Sequence, residues 1–244
     1  MLPILYQDAH LLAVDKPAGL LVHRSALDAG ETRSAVQLLH QQIQRPVYPV
    51  HRLDKGTSGV LLFALDTRTA CTLGQAWATH AVHKHYLAMV RGWPADAGTI
   101  DHPLRRLDDD ARGPRGQPVQ AAMTHFRTLE HLALPLRDRN FEHTRCACIE
   151  LTPETGRRHQ LRRHCKHIAH PIVGDATHGK GALNRSVAAL LGVQRLWLHA
   201  QALRFKHPVD GALLTIEATP DASWRLWRRF IQSGDQQPSP STAF

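Results

Sequence analysis

His51-Arg52-Leu53-Asp54-Lys55-Gly56-Thr57-Ser58-Gly59 runs straight into Val60-Leu61-Leu62-Phe63-Ala64-Leu65. The second half reads as an apolar strand at the edge of a core, and the first as a tight Thr-Ser-Gly turn that feeds it. The turn presents one carboxylate, Asp54, beside one guanidinium, Arg52. In an extended segment residues i and i+2 share a side, so both groups face the same way. Loops mounted on rigid strands are where catalytic groups tend to sit. On the residues alone the pair reads either as a surface turn with a modest ion pair or as a functional site.

Outward from this stretch, 4–6 and 11–14 read as short strands around a Gln7-Asp8-Ala9-His10 turn, and Lys16-Pro17-Ala18-Gly19 as a second turn. Thr32 is placed to cap a helix over 33–44, where Val36, Leu39 and Ile43 recur at helical spacing. Asp66 is placed to cap a helix through 81, with Ala70, Leu73 and Trp77 on one face. Strands are expected at 85–90, 123–129, 146–151, 196–203 and 213–218, with a charged Gly/Pro-rich loop at 105–118. A basic helix is expected over 157–167, an amphipathic one over 221–231, and a disordered tail at 234–244. Strands dominate and do not alternate strictly with helices. This predicts an α+β fold with a long mixed, mostly antiparallel sheet, built as one domain over 1–233.

The 244 residues are 43% hydrophobic, enough for a sizeable core, and carry 30 Lys plus Arg against 21 Asp plus Glu, a formal charge of +9. That balance favours a polyanionic partner through phosphate contacts. The four cysteines form no Cys-x-x-Cys pair, so reduced thiols are expected. The N-terminus reads as a strand rather than a leader, and no apolar run reaches the roughly 18 residues that span a bilayer. A soluble cytoplasmic protein with no membrane partner is expected. His178-Gly179-Lys180-Gly181 lacks the spacing of a phosphate-binding loop, and His159, His164, His167 and His170 have no clustered carboxylates beside them. No metal and no nucleotide or other cofactor is therefore expected.

Pro153-Glu154-Thr155-Gly156-Arg157-Arg158-His159-Gln160-Leu161-Arg162-Arg163-His164 is the second informative block. As a helix it puts Leu161, Cys165 and Ile168 on one arc toward the core, with Arg158, Arg162 and Lys166 as a stripe beside it. A cation on such a flank can lay its stem on apolar surface and turn its head into a cleft. Arg162, in the middle, is best placed to meet a buried carboxylate. The stripe reads either as a solvated basic face or as a phosphate-binding one.

The Asp54 block resembles the active-site loop of the RluA-type pseudouridine synthases, and Gly156-Arg157-Arg158-His159-Gln160-Leu161-Arg162 resembles their second signature. Lys84-His85-Tyr86 is similar to a third block, with His85 departing from the commoner Arg, and Leu196-Trp197-Leu198-His199-Ala200 to a fourth, in which His199 reads as structural support. The resemblance implies the pseudouridine synthase fold, with a cleft across the sheet. It also implies a cofactor-free isomerase of uridine in RNA; a monomer is expected. It implies that Asp54 is the catalytic carboxylate, Arg162 its partner, and Tyr86 the residue that packs on the target base, its hydroxyl available to assist C5 deprotonation. Arg52 would be the wedge that fills the gap left by an extruded base, and Leu161 would line the uracil pocket. Lys84, Arg158, Arg163, Lys166 and the 105–115 loop would supply RNA contacts. Val22-His23-Arg24-Ser25, 170–175 and Asn184-Arg185 look most like the branch that modifies uridine-65 of tRNA, and no S4-like domain is expected ahead of the Asp54 block. The rivals are an enzyme of ribosomal RNA or of dual specificity, a non-catalytic RNA-binding protein, and a metal-dependent hydrolase.

Overall fold

In the computed structural model, residues 1–23, 33–107, 118–137 and 141–231 are described. The expectations for Thr32, Arg24-Ser25, 108–117 and the tail lie outside them. Twelve strands are described: β1 Ile4–Gln7, β2 Leu11–Lys16, β3 Tyr48–Pro49, β4 Ser58–Ala64, β5 His83–Arg91, β6 Ala97–Asp101, β7 Leu104–Arg105, β8 Val119–Gln120, β9 Met123–Leu134, β10 Thr144–Pro153, β11 Leu198–Lys206 and β12 Leu213–Glu217. The helices are α1 Ala35–Ile43, α2 Thr67–Ala78, α3 Gln160–His167 and α4 Gly181–Leu191, with a closing 3-10 helix over Ala222–Phe230.

Ten strands form one sheet in the order β1-β2-β4-β11-β5-β10-β9-β6, with β3 on β4 and β12 on β11, while β7 and β8 pair apart. Every pairing in the large sheet is antiparallel except β4 with β11, where His199 lies opposite Ser58 and Ala200 opposite Gly59. This parallel seam sits directly after the Asp54 turn. It demands a glycine. Gly59 has φ +109°, and a Cβ there would stand 2.1 Å from the Ala200 carbonyl oxygen, so no other residue lets the two backbones approach this closely.

All seven β4 residues are buried, because the sheet is covered on both faces here. Alternation sends Leu61 and Phe63 into one cluster with Leu12, Val14 and Leu39 of α1. Val60 and Leu62 enter the opposite cluster with Leu11, Leu73 of α2 and Phe205. Leu161 and Cys165 of α3 cover β5 and β10 through Val90, Ile149 and Leu151. Each fully buried aliphatic side chain of this kind contributes roughly 1.5–3 kcal/mol.

Asp66 caps α2, accepting from the Thr69 N–H at 2.8 Å, and Ser34 caps α1. Three expectations change. The basic helix begins at Gln160 rather than 157. The stretch 181–191, given no element from sequence, is helix α4. The segment expected as an amphipathic helix over 221–231 is 3-10 in hydrogen bonding. No described helix is long and apolar enough to cross a membrane.

Candidate active site

The late start of α3 follows from two residues. His159 adopts φ 54°, a left-handed conformation that a non-glycine residue occupies at a cost of about 1–2 kcal/mol. Gln160 is buried, and its side chain accepts from the Arg157 N–H (2.9 Å) and the Thr155 hydroxyl (2.7 Å) while donating to Met123 O (2.9 Å) and Thr124 Oγ1 (3.0 Å). Residues 155–157 are thereby tied to β9, and the helix cannot start earlier. Arg158 falls in the turn, off the helix, so the expected stripe of three is broken. Lys166 is exposed and does not line the cleft, and Arg163 turns away to donate to Arg105 O at 2.9 Å.

Arg162 alone of that stripe turns inward. Its Nη1 donates to Asp54 Oδ2 at 2.9 Å, and Nε and Nη2 make a fork on Asp175 at 2.7 and 2.8 Å. The side chain of Asp175 is fully buried, that of Asp54 is 27% exposed, and that of Arg162 is 10% exposed. Burial pushes the Asp175 carboxyl up, but the Arg162 fork and the N–H groups of Thr177 and His178 outweigh it and hold it below its ordinary value of 3.8. The same two carboxylates keep the guanidinium charged against its own burial. The expectation that Arg162 meets a carboxylate matches the geometry. The second carboxylate, Asp175, carries no sequence signal that pairs it with Arg162.

The Asp54 turn is fixed from behind. The Thr57 N–H bonds to Asp54 O at 3.0 Å. Lys16 is fully buried, and its Nζ reaches three carbonyls, Pro17 (3.0 Å), Leu20 (2.8 Å) and Lys55 (3.2 Å). Three acceptors match the three protons of an ammonium. Burial pulls this lysine down to about 7, with the Asp54 charge working the other way. Below that turn, Arg195 donates to the Ser58 hydroxyl at 2.7 Å, and Ser58 bonds His199 Nδ1 at 2.9 Å. His199 Nε2 donates to Ala218 O at 2.9 Å, so Nδ1 is the acceptor and His199 is a structural strut.

Arg52, Asp54, Lys84, Tyr86, Leu161 and Arg162 all line one pocket, which opens into a cleft of about 800 Å³ reaching His23, Trp77 and Thr177. Tyr86 is half-buried; burial, then the Asp54 charge, pushes its phenol well above 10. Lys84 donates to Thr155 O at 3.2 Å and is lowered by burial. Beside the cleft lies a smaller concavity of about 220 Å³ lined by Arg52, Arg105, Arg106, Arg157, Arg158 and Arg163, a setting for phosphates. Histidines of α3 serve the fold: His164 is buried between Thr124 Oγ1 and His102 O, both at 3.0 Å. Among the described residues no group of three or more His, Cys, Asp and Glu is arranged to hold a metal ion.

The arrangement is therefore one ionisable carboxylate at the mouth of an aromatic pocket, fixed by a shared arginine and ringed by cations. Residues 10–167 match the family model described as RNA pseudouridylate synthase. The chain is 46% identical over 228 residues to the tRNA pseudouridine synthase C of Vibrio cholerae serotype O1, covering 92% of this chain and 93% of the relative. It is 45% identical over 238 residues to that of Yersinia pestis, covering 96% and 93%. Among solved structures, human RNA pseudouridylate synthase domain containing 1 superposes with a TM-score of 0.73 at 27% identity, covering 98% of this chain and 91% of that one.

Proposed function

Because the chain belongs to the RNA pseudouridylate synthase family, we propose that it isomerises a uridine of tRNA to pseudouridine, with Asp54 as the reacting carboxylate. The observation that carries this reading is the 2.9 Å contact of Arg162 with Asp54 inside a pocket lined by Tyr86 and Leu161. The target is uridine-65, the position implied by the resemblance of 170–175 and Asn184-Arg185 to one tRNA-acting branch.

The reaction breaks the C1′–N1 bond, turns the uracil and forms C1′–C5; C5 loses a proton and N1 gains one. Composition is unchanged, so neither redox nor phosphoryl chemistry is needed. Asp54 acts as an anion, whether it attacks C1′ or takes the C2′ proton, and Arg162 supports that anion. Asp175 in turn fixes Arg162 by its two-pronged contact, which sets the guanidinium plane. A stacked uridine must be extruded at a cost of a few kcal/mol. Tyr86 offsets part of this by stacking on the base, worth roughly 1–3 kcal/mol. Burial, then the Asp54 charge, raises its phenol in the free site, and its hydroxyl is available to assist C5 deprotonation once the base is bound. Arg52, on the same side as Asp54, fills the vacated stack. The arginine-lined concavity takes backbone phosphates, with Arg158 and Arg163 among its walls. The chain acts as a cytoplasmic monomer without cofactor, through the single catalytic unit 1–233.

Carbodiimide mapping of total RNA from cells with and without the gene tests this. One tRNA pseudouridine, at position 65, is expected to vanish. Loss of a ribosomal RNA site instead contradicts the assigned substrate, and an unchanged map contradicts the activity.

A further inference from the structure

Arg162 occupies only one oxygen of Asp54. The other, Oδ1, faces His159 Nε2 at 3.9 Å, and His159 Nδ1 lies 3.1 Å from His178 Nε2. We propose that His159 is a positioning residue for Asp54, set by His178: the His178 Nε2–H donates to His159 Nδ1, leaving the His159 proton on Nε2, aimed at Asp54 Oδ1. The inference rests on the reading of Asp54 as the reacting carboxylate and adds the control of its second oxygen.

For a neutral His159 only this assignment suits both contacts. With the proton on His159 Nδ1, a bare Nε2 lone pair would face the carboxylate oxygen. With the proton on Nε2, that edge attracts Oδ1, and Nδ1 is free to accept from His178. The backbone enforces the arrangement from both ends. His159 is delivered by its left-handed residue at the head of α3, and His178 by its own N–H, which is held 2.9 Å from Asp175 Oδ1. The two rings meet edge to face, 5.3 Å apart at 75°. Asp175 thus positions both partners of Asp54, Arg162 directly and His159 through His178. At 3.9 Å the last contact is open in the free enzyme; catalytic hydrogen bonds often tighten only when substrate closes the site.

Four groups face His159: Asp54 from its turn, Arg162 from α3, Arg158 from the turn before α3, and His178. Burial, then the two arginines and His178, hold it below its ordinary 6.5 against the pull of Asp54. His159 is therefore neutral at neutral pH and charges as pH falls. Once charged, it carries protons on both nitrogens, expels the His178 donor and ties up Oδ1 as an ion pair. Activity should fall on the acid side for this reason. Removing His178 takes away a donor and a neighbouring imidazole, both of which oppose the charge, so the His159 pKa should rise.

Single-turnover rates at saturating tRNA, measured against pH, test this with His178→Phe and His178→Gln. The first should lose about tenfold at neutral pH and shift the acid limb up by about one unit, the scale of one hydrogen bond next to a charge. The second keeps an N–H that can donate to Nδ1 but loses the imidazole, and should stay within about threefold of wild type with a limb shifted by less than that of His178→Phe. An unshifted His178→Phe, or a His178→Gln as damaged as His178→Phe, overturns the proposal. Nitrogen NMR of the imidazoles reads the pair without turnover: the His159 proton is expected on Nε2 in the wild type, and a proton on Nδ1 overturns the assignment even if His178→Phe fails to fold. An inactive wild type with the expected tautomer would instead mark the failure of the enzymatic reading.

Discussion

Asp54→Asn abolishes pseudouridine formation and leaves tRNA affinity within a few-fold of wild type. The amide has nearly the same shape as the carboxylate, and the side chain it replaces is partly exposed, so packing changes little. Arg162 keeps its fork on Asp175 and is not left stranded as a buried unpaired charge. What disappears is the anion itself. Removing a group that enters the reacting centre costs about 10⁴-fold or more in rate, which places the variant below detection in a mass-spectrometric assay of digested tRNA. Affinity rests on the surrounding cations and is untouched, so a filter-binding titration on the same preparation separates chemistry from binding. Turnover retained within tenfold would contradict the role given to Asp54.

Arg162→Leu should be more damaging, because Arg162 serves two carboxylates of different kinds. Asp54 can turn to solvent, whereas the Asp175 side chain has no exposure. Losing its partner strands a buried charge, and breaking a buried pair in this way costs about 3–5 kcal/mol. Both activity and thermal stability should therefore fall. Arg162→Leu combined with Asp175→Asn removes both charges while the amide oxygen still accepts from the Thr177 and His178 N–H groups, and should regain most of the stability but none of the activity. Recovery of turnover in the double variant would contradict the view that Arg162 acts on Asp54. The pH dependence has a definite sign. The folded Asp175 pKa lies below the ordinary 3.8, so its contribution is complete above that value and is lost as pH falls through the lower folded value. The acid unfolding curve should steepen there in the wild type and not in the double variant.

The parts of this fold legible in sequence are those governed by neighbours along the chain. The apolar run after Gly59, the Asp66 cap and the spacing of Leu161 and Cys165 are local, and each element forms where those signals stand. Helix α4 escaped because its cap position, Lys180, offers no side-chain hydrogen bond, and Gly179 and Gly181 blur its start. Leu183, Val187 and Leu191 at helical spacing were the available signal. The onset of α3 departs from the helical periodicity because the left-handed turn at His159 is imposed by Gln160 bonding to residues 123 and 124 on a strand far off in sequence. Asp175 was invisible as a partner of Arg162 for a similar reason: the chain between them bends back through Gly174, whose φ of +80° and contact with the Arg195 backbone follow from tertiary packing. The parallel pairing of β4 with β11 joins residues some 140 positions apart, and no local pattern encodes it.

Release of tritium from tRNA transcribed with uridine labelled at C5 tests the central claim most directly, since moving the glycosidic bond to C5 must displace that hydrogen. With purified protein, in a chelator and with no added cofactor, the wild type should release one equivalent per tRNA and Asp54→Asn none. No release by the wild type, or equal release by both, would contradict the account.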